Sequence, residues 1–179
     1  MLTIVVPGRE FFDEANNEFS YHKEVTLQLE HSLVSLSKWE SKWNKPFLSS
    51  DNKTDEEILD YVRCMTITQN IGKEVYYRLT KENIEKINEY INLPMTATTF
   101  KDQNGPRNRD IVTAEIIYYW MISLNIPLEC QKWHLNRLLT LIKVCSIKNT
   151  PPKKMTKQEI LSRNKALNAA RRQSLGSRG

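Results

Sequence analysis

Cys130 and His134 stand four residues apart in a segment of helical periodicity, a spacing that sets a thiol and an imidazole on one helix face and could begin a metal site. A structural zinc site needs about three or four donors. The remaining soft or imidazole donors are Cys64, Cys145, His22 and His31, and none sits at a second recognisable spacing. The pair therefore reads as a buried cysteine beside a boundary histidine, and no metal or other cofactor is expected. Acid–base chemistry finds no better footing. Asp55, Glu56 and Glu57 are explained as the acidic first turn of a helix, and Glu115 and Glu129 are isolated. GxSxG, a phosphate loop and HExxH are all absent, and the glycines are too scattered to cradle a phosphate. These features argue for a chain that binds rather than one that catalyses.

The charge is unevenly placed. From Pro151 to Gly179 there are eight basic residues against Glu159 alone, a net +7, whereas the whole chain totals +5 and residues 1–150 therefore carry −2. A near-neutral, apolar-rich body is joined through Pro151-Pro152 to a basic arm, the division expected of a folded unit and a contact segment. Lys153, Lys154, Lys157, Arg163, Lys165, Arg171 and Arg172 are its candidate partner-binding residues. The arm contains no Phe, Tyr or Trp, so binding to nucleic acid would run through phosphates, without base stacking or sequence specificity. An acidic protein surface would satisfy the same charges.

The body must supply the scaffold. Leu2, Ile4 and Val6 alternate with polar or outward positions, Pro7-Gly8 breaks the run, and Val25, Leu27 and Leu29 alternate again. This predicts two strands of a hairpin, which Phe11, Phe12, Phe19 and Tyr21 could extend. A lone hairpin is marginal and must pack on something. From His31 the pattern turns helical, with Leu33, Leu36, Trp39 and Trp43 on one face. Thr54-Asp55-Glu56-Glu57 is a capping box, Thr80 starts a further helix, and Met95–Phe100 reads as a short strand. Asn108 or Asp110 is expected to cap a helix through Leu124 that is apolar on nearly every side, the signature of a bundle centre or an interface. Its residues Tyr118, Tyr119 and Trp120, with Trp133, form a candidate apolar interface. Asn125 is a helix terminator, and Pro127 opens a further helix through Cys145 that should pair with its predecessor as an antiparallel hairpin. Thr156-Lys157-Gln158-Glu159 is a second capping box, predicting a helix over 157–173 that is weak alone.

The fold class expected is α+β, mostly α: a β-hairpin over 2–30 packed on a bundle of helices over 31–149, with a basic arm over 151–179 that is helical or disordered. The three cysteines lack a CxxC pair and point to buried thiols rather than a disulfide framework. No apolar run approaches the roughly 18 residues that span a bilayer, and Met1–Glu10 has the pattern of a strand, not of an export signal; cytoplasmic synthesis is the expectation.

Several strings carry a family resemblance: Trp39-Glu40-Ser41-Lys42-Trp43, Met95-Thr96-Ala97-Thr98-Thr99-Phe100, the run from Gln131 to Cys145, and Pro151-Pro152-Lys153-Lys154. In these the chain resembles the small tail assembly chaperones encoded among the tail genes of long-tailed bacteriophages, from the hairpin to the basic end. The resemblance implies a non-enzymatic protein that binds the tape-measure protein and shields its helical surface while tail-tube subunits polymerise. It implies action in the infected bacterial cytoplasm and self-association. Two alternatives stand beside it: a permanent component of the virion tail, and a nucleic-acid-binding protein acting through the arm.

Overall fold

The structure is a computed structural model that describes residues 1–13, 17–49, 52–100, 111–150 and 156–176. The fold is mostly α with a little β, as its sequence patterning predicts. A compact unit spans Met1–Ser146 and a second unit spans Ile147–Gly179.

The N-terminal ribbon is one hairpin with a flaw in it. Strands β1 (Leu2–Val6) and β4 (Val25–Leu29) pair antiparallel with Leu2 opposite Leu29 and Val6 opposite Val25. Strands β2 (Arg9–Asp13) and β3 (Glu18–His22) pair with Arg9 opposite His22 and Asp13 opposite Glu18, so the register is unchanged across the interruption. The interruption is Pro7-Gly8. Pro7 has no N–H to give to a ladder. At Gly8 a Cβ would lie 2.7 Å from the Tyr21 hydroxyl and 2.9 Å from the His22 carbonyl oxygen, so a side chain has no room. Arg78 repairs the gap: its Nη1 donates to the carbonyls of Pro7 (3.0 Å) and Lys23 (3.2 Å), one on each strand.

Alternation then decides which face of β1 and β4 is buried. Ile4, Val6, Leu27 and Leu29 point inward and form the first core with helix α2 (Asp55–Met65), a 3₁₀ turn at Lys73–Arg78 and helix α3 (Lys81–Asn92). Helix α1 (Leu33–Trp43) divides its faces between two cores. Trp39 enters the first, while Leu33 and Leu36 enter a second core. That second core is built from helices α4 (Ala114–Ser123) and α5 (Leu135–Asn149), with Ile126 and Cys130 between them. The two tryptophans spaced at i and i+4 on α1 pin α2: Trp39 Nε1 donates to the Glu57 carbonyl at 2.8 Å and Trp43 Nε1 to Asp60 Oδ2 at 3.0 Å. Phe47, stacked on Tyr61 at 3.8 Å, touches both cores.

The predicted caps at Thr54, Thr80 and Thr156 form, each hydroxyl accepting from the backbone N–H three residues on. Asn125 ends its helix in the left-handed conformation expected of it (φ 54°). Three expectations need correction. Met95–Phe100 is not a strand: Met95 is left-handed (φ 50°), and the Thr98 N–H turns back to Thr96 Oγ1. Helix α4 begins at Ala114, not at 108–110, because its cap comes from elsewhere in the fold, as described below; residues 101–110 lie outside the described residues. The helix expected from Pro127 is a 3₁₀ turn at Leu128–Lys132, broken at Trp133 before α5 starts. The break follows from pairing with the end of the hairpin, where the Leu135 N–H donates to the His31 carbonyl (2.7 Å) and Ser32 bridges His134. Consequently α4 packs mainly on α1, and the helical hairpin with its two- or three-residue turn does not form.

Helix α6 (Lys157–Leu175) carries the full Thr156/Glu159 capping box, and all its side chains are exposed. With no core to hold it, the local cap bears more of its stability than in a buried helix. Thr156→Ala is expected to cost about 1 kcal/mol of helix stability. Circular dichroism should lose the signal of this helix, while urea unfolding followed by tryptophan fluorescence stays put, because all four tryptophans lie outside it.

Candidate interaction surfaces

Helix α4 is placed by a residue far from it in sequence. Glu40 is buried on α1, and its two carboxylate oxygens divide their work: Oε2 accepts the Ala114 N–H at 2.7 Å and Oε1 accepts the Phe47 N–H at 2.8 Å. The first contact satisfies an orphan donor at the α4 N-terminus and sets a carboxylate at the positive end of the helix dipole. Thr113, at the cap position, makes no side-chain cap bond of its own. Glu40 is thus a positioning residue that sequence patterning did not single out, since a lone glutamate on an amphipathic helix has the text of a solvent-facing one.

So anchored, α4 buries Ala114, Ile117 and Met121 and turns the rest of its apolar surface outward. Of the candidate interface residues, Tyr118, Trp120 and Trp133 are half-buried at the edge of the second core. The Tyr118 hydroxyl donates to Gln131 Oε1 (2.8 Å), and the Arg137 guanidinium lies 4.1 Å over the Trp133 ring. Tyr119 is 67% exposed. Ile122, at 68%, and Leu128 are exposed as well. For Tyr119 and Ile122 the signal lies in the all-round apolarity of α4, but periodicity cannot say which side of such a helix is left uncovered.

Of the basic arm, Lys157, Arg163, Lys165, Arg171 and Arg172 lie on α6 with exposed side chains. Lys153 and Lys154 lie outside the described residues. Ile160, Leu161 and Leu167 are exposed on the same helix.

The Cys130/His134 pair has another use. His134 Nδ1 accepts the Asn136 N–H (3.3 Å), which leaves Nε2 to donate to the Tyr90 carbonyl (3.0 Å) and fixes the tautomer. Its ring meets His31 edge-on at 5.1 Å, and His31 Nδ1 shares a 2.6 Å hydrogen bond with the Tyr61 hydroxyl. Burial first, and the neighbouring His134 second, push His31 down to about 4; burial likewise lowers His134. Both rings are therefore neutral at pH 7 and serve as polar joints between α2, α3, α5 and the end of the hairpin. Asn136 completes the joint, its Nδ2 donating to the carbonyls of Ile91 (3.0 Å) and Leu93 (2.8 Å) at the end of α3. No group of three or more metal-ligating side chains assembles among the described residues.

The open groove along α2 is internally neutralised: Lys42, Arg63 and Lys73 face Asp55, Glu56 and Asp60 in its lining, and Asp60 pairs with both Lys42 and Arg63. Nearby, burial pushes the Cys64 thiol up, which keeps it protonated and weakly nucleophilic. No helix among the described residues is long and apolar enough to cross a membrane. Comparison with protein-family models, curated proteins and solved structures finds no match for this chain.

Proposed function

We propose that this chain is a non-enzymatic assembly factor of a long-tailed phage tail, binding the tape-measure protein and shielding its apolar helical surface while the tail forms. The observation that carries the reading is the outward face of α4, where Tyr119 and Ile122 are exposed on a firmly anchored helix, with Leu128 exposed in the 3₁₀ turn that follows. An exposed apolar patch on a rigid element is a recognition surface for an amphipathic partner helix. The resemblance to tail assembly chaperones directs that surface to the tape-measure protein, and the basic helix α6 supplies a second docking element.

Co-expression with a tape-measure protein encoded alongside it tests the proposal. The expected result is co-purification and a soluble tape-measure protein. Ile122→Glu with Tyr119→Lys should abolish both while leaving the circular dichroism spectrum unchanged, because neither side chain belongs to a core. Failure of the wild-type pair to co-purify would remove the proposal. Mass spectrometry of purified particles separates a transient factor from a permanent tail component.

The net +7 of residues 151–179 favours a second reading, phosphate-directed binding to nucleic acid. Its mark is an affinity that falls steeply with salt, roughly tenfold or more between low and physiological ionic strength, and disappears on removal of residues 153–179. Absence of binding at low ionic strength rejects it.

A further inference from the structure

Residues 9–24, the distal half of the hairpin with its flanks, hold two basic residues (Arg9 and Lys23) and five acidic ones (Glu10, Asp13, Glu14, Glu18 and Glu24), a net −3. Residues 1–150 sum to −2, so the rest of the body is +1 and the body's negative charge is concentrated in this arm. The arm also carries aromatic surface. Phe12 pairs with Phe19 across the ladder, their rings 4.9 Å apart, and Tyr21 lies one pair further along the same face, opposite Glu10. Their exposures are 49%, 77% and 64%. No third strand joins β2 or β3 among the described residues, and no described side chain of either strand belongs to a core. A two-stranded ribbon with both edges open is marginal in water, and clustered exposed aromatics are the residue type that dominates binding energy. Arg78 holds the root of this ribbon by both strands, so it is presented rather than loose.

The chain contains a segment of opposite character. On α6, Ile160 and Leu167 lie two turns apart on one face, bordered by Lys157, Arg163 and Arg171. We propose that the acidic aromatic ribbon of strands β2 and β3 of one copy is a docking site for the basic helix α6 of a second copy. Charge chooses this occupant. Two arms facing each other would set −3 against −3, and nucleic acid would be repelled, whereas helix α6 brings five basic residues against Glu159 alone, a net +4, together with an apolar stripe. The contact is heterologous: each copy offers one arm and one helix, so association extends into a ring or an open chain instead of stopping at a symmetric dimer. It does not depend on the identity of the client.

Full-length protein in sedimentation velocity provides the test. In about 50 mM salt the wild type is expected to gain mass with concentration, and in about 500 mM salt, where screening acts within a few ångströms, to sediment as a monomer. An arm variant, Glu10→Lys with Phe19→Ser, and a helix variant, Arg171→Glu with Arg172→Glu, should each be monomeric throughout. All four positions are exposed, so circular dichroism should match the wild type. Mixed in equal amounts, the two variants should form a dimer and nothing larger, because the sound helix of the first meets the sound arm of the second and the remaining surfaces are both disabled. A wild type that is monomeric at low salt, a helix closing on its own copy, association that either variant retains alone, or a mixture that stays monomeric each overturns the proposal. These readouts involve no tape-measure protein, so their failure is distinct from failure of the co-expression experiment.

Discussion

Glu40→Ala is expected to destabilise the fold by about 4 kcal/mol, because it leaves two backbone donors without their acceptor at once. The Ala114 N–H is fully buried and the Phe47 N–H partly so, and each donates to its own oxygen of that carboxylate. An orphaned buried donor costs about 1–3 kcal/mol, and loss of a carboxylate at a helix N-terminus adds some tenths more. Glu40→Gln should recover part of the loss, since its carbonyl can serve one donor while its amide faces the other. Urea unfolding followed by tryptophan fluorescence measures the difference. Hydrogen exchange locates it: α4 should lose protection first, since Glu40 is the contact that caps it. If α4 comes away while the hairpin core stays folded, the proposed binding of a partner helix should vanish with it, tying the exposed face of α4 to the carboxylate that orients it. A loss below about 1 kcal/mol would mean that water replaces the carboxylate readily and that α4 is held by its apolar face alone.

That contact also marks where sequence patterning stops. The hairpin was legible because period-two alternation at Leu2–Val6 and Val25–Leu29 leaves one consistent inward face. Capping boxes at Thr54 and Thr156 were legible because donor and acceptor lie three residues apart. Cap and break positions made by distant residues were not. Helix α4 starts where Glu40 reaches it, and the helix after Pro127 is interrupted where His31 and Ser32 pair with the segment around His134. Both are tertiary overrides of a local preference, and such overrides leave no periodic trace. The interface was half legible. All-round apolarity named α4, yet only the placement of α1 decides that Ile117 and Met121 face inward while Tyr119 and Ile122 face out. Arg78 was silent for a related reason: its bonds to Pro7 and Lys23 span 71 and 55 residues.

Acidification should weaken the fold well before its carboxylates are neutralised, and the two buried histidines set the range. His31 titrates at about 4 in the folded chain against an ordinary 6.5. Between those values the unfolded chain binds a proton that the folded site refuses. The stabilising contribution is therefore whole above pH 6.5 and falls away as pH drops toward 4. The loss by pH 4.5 is on the order of 2–3 kcal/mol, and His134, lowered by burial, acts in the same direction. The groups around the pair offer little to hold a proton there. Tyr61, whose hydroxyl burial keeps protonated, and the Tyr90 carbonyl are neutral, and Glu30 is already engaged by the Tyr90 hydroxyl (2.6 Å) and the N-terminal ammonium (2.8 Å). Glu57, held below the usual carboxylate range chiefly by Lys45 and the Thr54 N–H, loses its own contribution only at more acid pH, below about 4.5. Urea midpoints at pH 7.5, 6.0 and 4.5 thus isolate the histidines. The wild type should lose stability steadily across that series, and His31→Phe should flatten the slope while starting from a lower midpoint, because Tyr61 loses its partner. A wild-type midpoint that is level from pH 7.5 to 4.5, or a His31→Phe profile parallel to it, would show that the rings take up protons without opening the joint. The joint is where the hairpin, α2, α3 and α5 meet, so a charge forced between His31 and His134 would press apart the two cores that α1 otherwise holds together.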